Sequence, residues 1–194
     1  IIVCHLGNGA SVSAVDHGKC IDTSMGLTPL EGLIMGTRSG DMDPAICEFI
    51  CQKEGITPAE MNNILNKKSG IYGMSGISSD FRDVEAGAIK GQPRAIAAMD
   101  AYHYRVAKYI GSYVAAMNGV DIIAFTAGVG ENSKGGREEI AKYLGYLGTE
   151  IDVEKNNVRG EEGIVSKEGS KVTLMAIPTN EELAIARQTF ELVK

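Results

Sequence analysis

The chain has 194 residues, 44% of them hydrophobic, and a formal net charge of −6, which is enough apolar content for one domain with its own core. The acidic balance argues against nucleic-acid or anionic-membrane partners, because no run of Lys and Arg is present to neutralise phosphates. No apolar run reaches the roughly 18 residues of a membrane span and no signal peptide is visible. We therefore expect a cytoplasmic protein.

The first 25 residues predict a meander of three strands. Strands are expected at 1–6, 11–15 and 20–23, because turn sequences at Asn8-Gly9 and Asp16-His17-Gly18 separate them. The first hairpin can also present backbone N–H groups to phosphate, since Gly7 and Gly9 carry no Cβ to block a ligand. The sequence alone does not decide whether this hairpin is only a turn or also a phosphate site.

Arg38 lies in the glycine-flanked loop Gly36-Thr37-Arg38-Ser39-Gly40-Asp41. Its guanidinium offers a planar fork of donors to phosphate or carboxylate, and the glycines allow a ligand to come close. The alternative is a surface arginine paired with Asp41 or Asp43.

Helices are predicted next in the chain. Asp43-Pro44 indicates a helix start that ends near Gly55, and Thr57 to Glu60 form a capping box for a helix ending near residue 70. Residues 69–92 are rich in Gly and Ser, and a long apolar helix is expected from Pro93 to Met117. Its length predicts a core spine or a subunit contact.

A buried strand is expected at 120–126, followed by the glycine turn Gly128-Val129-Gly130 and a helix from about Gly136. A strand followed by a glycine turn and a helix is typical of a nucleotide site. One interpretation is the three-glycine fingerprint of dinucleotide-binding proteins, but this chain has Ser133 where the fingerprint has its third glycine.

The tail predicts a strand at 172–177 and a helix at 181–192. Thr179 as N-cap would place Glu182 at the third helical position, in a capping box. Glu181 has only the weaker attraction to the helix dipole.

Five motifs in this order resemble the acetate kinase family. They are His5-Leu6-Gly7-Asn8-Gly9-Ala10-Ser11, residues 22–32 with 36–41, Asp80-Phe81-Arg82, Gly128-Val129-Gly130-Glu131-Asn132-Ser133 and Pro178-Thr179-Asn180-Glu181-Glu182.

The resemblance implies an α/β fold, with a mixed sheet and flanking helices, of the actin-like, ribonuclease H-like superfold that sugar kinases, actin and heat-shock chaperones share. It also implies that residues 1–194 are the C-terminal nucleotide-binding domain of a two-lobe kinase whose N-terminal lobe is absent. The apolar start Ile1-Ile2-Val3-Cys4 suggests a cut through a longer chain.

The implied reaction is reversible phosphoryl transfer between ATP and acetate, with Mg²⁺ as cofactor. In this resemblance Arg38 stabilises the transferring phosphoryl group, and Pro29 lines the pocket for the acyl group. Glu181 serves the magnesium of the nucleotide complex. The phosphate-binding hairpin comprises His5, Leu6, Gly7, Asn8 and Gly9, with His5 and Asn8 nearest the reacting phosphoryl. The adenosine pocket comprises Asp80, Phe81 and Arg82 on one side and Gly128, Val129, Gly130, Glu131 and Asn132 on the other.

Three alternatives stay open at this point. The acceptor can be propionate or another short-chain carboxylate, because selection among them depends on pocket volume. The chain can also be a non-catalytic nucleotide-binding or assembly module. The resemblance implies a homodimer through this part, and the helix Pro93 to Met117 is the candidate contact.

Overall fold

A six-stranded mixed sheet forms the centre of the computed structural model, which describes residues 1–194. The strands are β1 (Ile2–Leu6), β2 (Ala10–Asp16), β3 (Lys19–Thr23), β4 (Ile122–Thr126), β5 (Gly163–Ile164) and β6 (Thr173–Ala176). They lie in the order β3-β2-β1-β4-β6-β5. β1, β4 and β6 are parallel to one another, and the remaining neighbours pair antiparallel.

The predicted three-strand meander is confirmed. In β1, Ile2, Cys4 and Leu6 are at most 1% exposed, because alternate side chains of a strand point to the same face of the sheet. β3 lies at the sheet edge and is exposed along its whole length. The first hairpin therefore contributes both of its strands to the core, since alternate residues of β2 are buried as well.

Eight α-helices surround the sheet. They are α1 (Ala45–Glu54), α2 (Pro58–Lys67), α3 (Gly70–Ser75), α4 (Phe81–Ile89), α5 (Pro93–Met117), α6 (Ala127–Asn132), α7 (Lys134–Lys142) and α8 (Glu181–Val193). Two short 3-10 turns lie at Gly145–Leu147 and Lys155–Asn157.

The long helix α5 has the predicted bounds and serves as the spine of the core. It buries one face, including Met99, Tyr102, Val106 and Ile110, and it ends where Asn118 adopts the left-handed conformation with φ +56°. Asn tolerates that conformation better than most residues. The core-spine interpretation is confirmed.

Three short helices lie where the sequence predicted none. α3 and α4 lie within the Gly- and Ser-rich segment, and α6 contains the glycines expected to form a turn after β4. The Asp80 side chain caps α4 by accepting from the Arg82 N–H at 2.9 Å, and Phe81, Val84 and Gly87 of this helix are buried. Capping and tertiary packing thus overcome the low helix propensity of these segments.

Two helices bury no residue within this chain. In α1, Ile46 is 39% exposed and Phe49 is 58% exposed. α8 likewise exposes its apolar side chains. None of the helices combines the length and the apolar character that crossing a membrane would require.

Candidate functional site

The three parallel strands end at the same edge of the sheet. β1 runs into the turn Gly7-Asn8-Gly9, β4 runs into α6, and β6 runs into the residues that start α8. Thr126 at the end of β4 and Thr179 after β6 have their hydroxyl oxygens 3.3 Å apart. In α/β sheets, ligands bind beyond the carboxyl ends of the strands, so this edge is the candidate site.

The hairpin turn offers backbone donors at this edge. The Gly7 N–H donates to the Gly9 carbonyl at 3.2 Å and is therefore used within the turn. The N–H groups of Asn8 and Gly9 have no hydrogen-bond partner in the chain. A Cβ at Gly9 would lie 3.4 Å from Arg38 Nη1, so the guanidinium lies directly beside these free donors.

The loop that carries Arg38 is attached to the same turn. The Gly36 N–H donates to the Asn8 carbonyl at 2.9 Å, and any Cβ at Gly36 would collide with the Asn8 side chain. Arg38 Nη1 lies 3.4 Å from the Pro29 carbonyl oxygen, its acceptor, which places the backbone of Pro29 next to the guanidinium. Three segments predicted to act together are thus in contact.

Arg38 pairs with neither Asp41 nor Asp43, so the surface-pair alternative is wrong. Asp41 accepts instead from the Tyr109 hydroxyl at 2.6 Å and from the Gly32 N–H at 2.8 Å, and it lies 3.2 Å from Arg105. Asp43 accepts from the Ala45 N–H at the start of α1. The charge of Arg38 is left available to an anion.

A cavity of about 630 Å³ opens between the hairpin turn, the start of α4 and α6. Eight residues predicted to bind nucleotide line it: Gly7, Asn8, Asp80, Phe81, Arg82, Gly128, Val129 and Asn132. The structure therefore brings together the three predicted nucleotide segments, which lie far apart in the sequence.

The other predicted residues lie around this cavity rather than in its lining. Leu6 is 1% exposed and belongs to the core, so only its backbone can approach a ligand. His5 pairs in register with Thr126 across β1 and β4. Gly130 is buried, and an added Cβ there would lie 3.1 Å from the Phe125 carbonyl carbon. Glu181 is exposed in the first turn of α8.

Asp80 and Arg82 form an ion pair at the mouth of the cavity. Arg82 Nε donates to Asp80 Oδ1 at 3.0 Å. This side-chain hydrogen bond and the backbone N–H of Arg82 lower the pKa of Asp80 to about 2. The Arg82 side chain is 84% exposed and the Asp80 side chain 37%. An ion pair this close to solvent adds little stability, and its clearest structural role is the cap of α4.

One residue with a strained backbone lies where β4 meets α6. Ala127 has a φ of +64°, a left-handed conformation that costs a residue with a Cβ about 1–2 kcal/mol. An added Cβ at Gly7 would lie 3.6 Å from the Ala127 Cβ. The strained residue thus lies where the hairpin turn approaches α6.

Glu131 connects α6 to the segment before α8. It accepts from the Thr179 N–H at 2.8 Å and from the Thr179 hydroxyl at 2.6 Å. Desolvation opposes the charged form, but these hydrogen bonds, with a further one from the Ala127 backbone, outweigh it and lower the pKa of Glu131. Glu131 therefore holds two of the strand ends together.

The predicted capping box of Thr179 and Glu182 is wrong. Asn180 is the N-cap of α8, and its Oδ1 accepts from the Leu183 N–H at 3.0 Å. The Thr179 hydroxyl instead donates to Glu131 at 2.6 Å, and no N–H of α8 donates to it. Glu182 is consequently left without the structural role that the sequence assigned to it.

Five further residues line the cavity that were not among the predicted nucleotide contacts, although Ser133 belongs to one of the motifs: Ser79, Glu85, Met99, Ser133 and Arg159. Ser133 caps α7 by accepting from the Gly136 N–H at 3.0 Å, and its Oγ lies 3.2 Å from Glu85 Oε1. Glu85 is one helical turn beyond Phe81, a spacing that would have indicated the same face had α4 been predicted. Arg159 carries no local signal.

The acidic side chains suit a shared metal ion rather than a closed protein cage. The chain has no group of three or more His, Cys, Asp or Glu placed to hold a metal. Mg²⁺ bound to nucleotide phosphates takes only one or two carboxylates and keeps several waters. A single exposed carboxylate such as Glu181 fits that requirement.

The chain matches proteins of one family along most of its length. Residues 1–187 match the Acetokinase family. An acetate kinase of Thermotoga petrophila is 62% identical over 197 aligned residues, which cover all of this chain and 49% of that protein. An acetate kinase of Agathobacter rectalis is 64% identical over 194 residues, with the same coverage.

Solved structures agree with these relatives. The crystal structure of Porphyromonas gingivalis acetate kinase superposes with a TM-score of 0.95 at 47% identity, covering all of this chain and 49% of that one. The crystal structure of a propionate kinase from Francisella tularensis has a TM-score of 0.90 at 46% identity, and the match covers 95% of this chain and 47% of that one. These structures are of the actin-like kind, which confirms the predicted superfold.

The chain spans about half the length of the curated relatives it matches. Within that half, sequence and fold agree from one end to the other. The chain belongs to the acetokinase family.

Proposed function

We propose that this chain is the nucleotide-binding, C-terminal half of an acetate kinase, in which phosphoryl is transferred reversibly between ATP and acetate to give ADP and acetyl phosphate. One observation carries the proposal. The unpaired guanidinium of Arg38 lies beside two free backbone N–H groups at the carboxyl ends of the parallel strands. Membership in the family and the adjoining cavity support it.

In the proposed reaction a carboxylate oxygen of acetate attacks the γ-phosphorus while the bond from that phosphorus to the bridging oxygen of ADP breaks. Charge is spread over the three equatorial oxygens as this happens. Arg38 donates to those oxygens, and the N–H groups of Asn8 and Gly9 add donors that are already in place. His5 and Asn8 border the reacting phosphoryl group.

The nucleotide is proposed to occupy the cavity between α4 and α6. Gly128, Val129 and Asn132 form one wall, and Asp80, Phe81 and Arg82 form the opposite wall. Gly130 and Glu131 act from behind the first wall, since Gly130 packs against β4 and Glu131 binds Thr179. Glu181 is the proposed protein contact of the magnesium ion, which neutralises phosphate charge when bound.

The test is phosphoryl transfer by the complete two-lobe enzyme with acetate, propionate and butyrate as acceptors, measured by a coupled assay of ADP formation. We expect acetate to give the highest kcat/KM and to require magnesium. Nucleotide binding without transfer to any carboxylate would contradict the proposal and favour the non-catalytic module.

A propionate kinase is the second candidate, because this chain is equally similar to solved structures of both kinds, at 47% and 46% identity. A methylene group in an acyl pocket changes the free energy of binding by only about 1–3 kcal/mol. Pro29, next to Arg38, is the one residue of this chain proposed to border the acyl group. A higher kcat/KM with propionate than with acetate would identify this candidate.

The complete enzyme is further proposed to be a homodimer that pairs through this half. The support is the resemblance to the family and the exposed apolar side chains of α1, such as Phe49.

A further inference from the structure

Arg137 on α7 is a fully buried arginine behind the wall of the cavity. Its side chain is 1% exposed. Nε donates to Asn156 Oδ1 at 2.7 Å, and Nη1 donates to the carbonyls of Gly130 at 2.8 Å and Glu131 at 2.9 Å. Nη2 donates to the carbonyls of Asn156 at 2.8 Å and Val158 at 3.1 Å. A guanidinium has five N–H groups, and these five hydrogen bonds use them all.

All five acceptors are neutral, so this buried cation has no carboxylate bound to it. Desolvation lowers the pKa of Arg137, and the nearby charge of Glu138 only partly opposes the shift. Burying a charge in this manner is costly, and well-packed apolar residues often stabilise a core as well or better. Stability alone therefore gives a poor account of an arginine at this position.

The acceptors belong to two segments that border the cavity from different sides. Gly130 and Glu131 lie in α6, whose residues Gly128, Val129 and Asn132 form one wall. Asn156 and Val158 lie in the short segment that leads into Arg159, and Arg159 lines the same cavity. No other side chain in the chain binds both segments through its charged group.

The second segment has its own links to the start of α7. Asn156 is fully buried, and its Nδ2 donates to the Lys134 carbonyl at 3.1 Å and to Glu138 Oε1 at 3.0 Å. A Cβ at Gly160 would lie 4.0 Å from Asn132 Oδ1. The chain after Arg159 thus returns to the end of α6, and Arg137 lies at the centre of this arrangement.

We propose that Arg137 is a positioning residue of the nucleotide site, which holds α6 and Arg159 at the separation that a bound adenine nucleotide requires. The inference rests on the proposed function, and it adds Arg159 as a nucleotide contact. Lysine cannot replace Arg137, because an ammonium group has three donors on a single atom and cannot reach both segments at once.

The experiment compares the complete wild-type enzyme with Arg137→Lys, Arg159→Ala and the double variant. Arg94→Lys is the matched control, because Arg94 also donates to carbonyls at a helix end, those of Gly73 and Met74, and it does not line the cavity. The measurements are the Kd of ADP by calorimetry, the KM values of ATP and acetate, and the thermal midpoint. Asn156→Ser, which removes one of the five acceptors, is the milder variant should Arg137→Lys fold poorly.

We expect Arg137→Lys to weaken ADP binding and to raise the KM of ATP about 10-fold or more, since small displacements of binding groups are costly. The KM of acetate should change less than about two-fold. Arg159→Ala should add little in the double variant, because residues that act through one another are not additive. Arg94→Lys should leave the Kd of ADP unchanged even if it lowers the thermal midpoint.

An unchanged Kd of ADP in folded Arg137→Lys, or full additivity with Arg159→Ala, would overturn the inference. Failure of the proposed function is seen separately, in the wild-type enzyme. If the wild type binds ADP but transfers no phosphoryl to acetate, the proposed reaction fails while the calorimetry still decides the role of Arg137. If the wild type binds no nucleotide, both are refuted.

Discussion

The guanidinium of Arg38 is held beside the hairpin turn by two weak contacts of Nη1, to the Pro29 carbonyl at 3.4 Å and to the Met35 sulfur at 3.5 Å, and no carboxylate neutralises it. We predict that Arg38→Ala lowers kcat of the complete enzyme at least about 100-fold, the scale of losing one donor to the charge that develops in the reaction. Steady-state kinetics provide the test. The fold should survive, because few internal contacts are lost.

Lys90→Ala, at the exposed end of α4, is the control for loss of a surface cation. Retained kcat in a folded Arg38→Ala enzyme would rule out the proposed role of Arg38.

Tyr109 carries a prediction about alkaline stability. It donates its hydroxyl to Asp41 at 2.6 Å, and desolvation, this hydrogen bond and the charge of Asp41 all raise the pKa of Tyr109. In the unfolded chain the group ionises near about pH 10. The stabilisation is therefore complete below pH 10 and is lost as the pH rises above it.

Tyr109→Phe should lower the free energy of unfolding by about 0.5–1.5 kcal/mol at pH 8. The difference in free energy of unfolding between the two proteins should become smaller between about pH 10 and 11, because the wild type itself loses stability there. Urea unfolding of both proteins at pH 8 and at about pH 10.5 tests this. Tyr146→Phe is the control, since Tyr146 is 66% exposed. Parallel alkaline declines of wild type and Tyr109→Phe would contradict the assignment.

At the scale of single residues, the sequence predicted candidate site residues more readily than it predicted their contacts. Gly7, Asn8 and Arg38 were predicted as site residues because glycines let a ligand approach and a guanidinium offers donors to an anion, and the structure places the turn and Arg38 side by side. Arg137 and Arg159 were missed, because the acceptors of a buried arginine lie in segments that only the fold brings together. Glu182 was misassigned because nothing in the local pattern shows that Asn180, rather than Thr179, accepts the N–H at the start of α8.

At the scale of elements, α8 provides a test of capping. Asn180→Ala removes the acceptor of the Leu183 N–H and should destabilise this helix by about 0.5–2 kcal/mol. Because α8 buries no residue in this chain, the effect should be local. We expect hydrogen exchange across residues 181–193 to become about 2- to 30-fold faster, with little change elsewhere.

Glu182→Ala is the matched control, since Glu182 makes no capping hydrogen bond, and it should leave hydrogen exchange in α8 nearly unchanged. Faster exchange in Glu182→Ala than in Asn180→Ala would restore the capping box that the sequence predicted.

Elements with strong periodicity were predicted with accurate bounds. The hairpins, α5 and the capping box of α2 are confirmed; in the last, Thr57 and Glu60 exchange hydrogen bonds at 2.8 and 3.2 Å. α3, α4 and α6 were missed because their sequences favour turns, and contacts from distant segments make them helical. One example is Arg94, which donates to the carbonyls at the end of α3.

At the scale of the whole molecule, the structure changes the reason for expecting a dimer. The apolar residues of α5 are mostly buried within this chain, so that helix does not by itself require a partner. Exposed apolar side chains also lie on α1 and α8, which bury no residue, such as Phe49 and Phe190 at 58% and 60%. Surface of this kind favours association.

We predict that the 194-residue chain sediments as a two-fold dimer at micromolar concentration, because a closed two-fold contact is the commonest way to cover such a surface. Sedimentation velocity over a range of concentrations tests this. A monomer at all of them would show that the exposed side chains are covered by other parts of the enzyme.

The central strand pair also determines the order in which the molecule can assemble. β1 and β2 are joined by a three-residue turn and can pair within microseconds, whereas β1 meets β4 through residues 2 and 123. Closing so long a loop carries an entropic cost that local contacts do not repay, and such pairings form slowly. The hairpin turn therefore exists early, but the edge where it meets α6 exists only after the slow step. During refolding, recovery of ADP binding should lag behind the recovery of secondary structure.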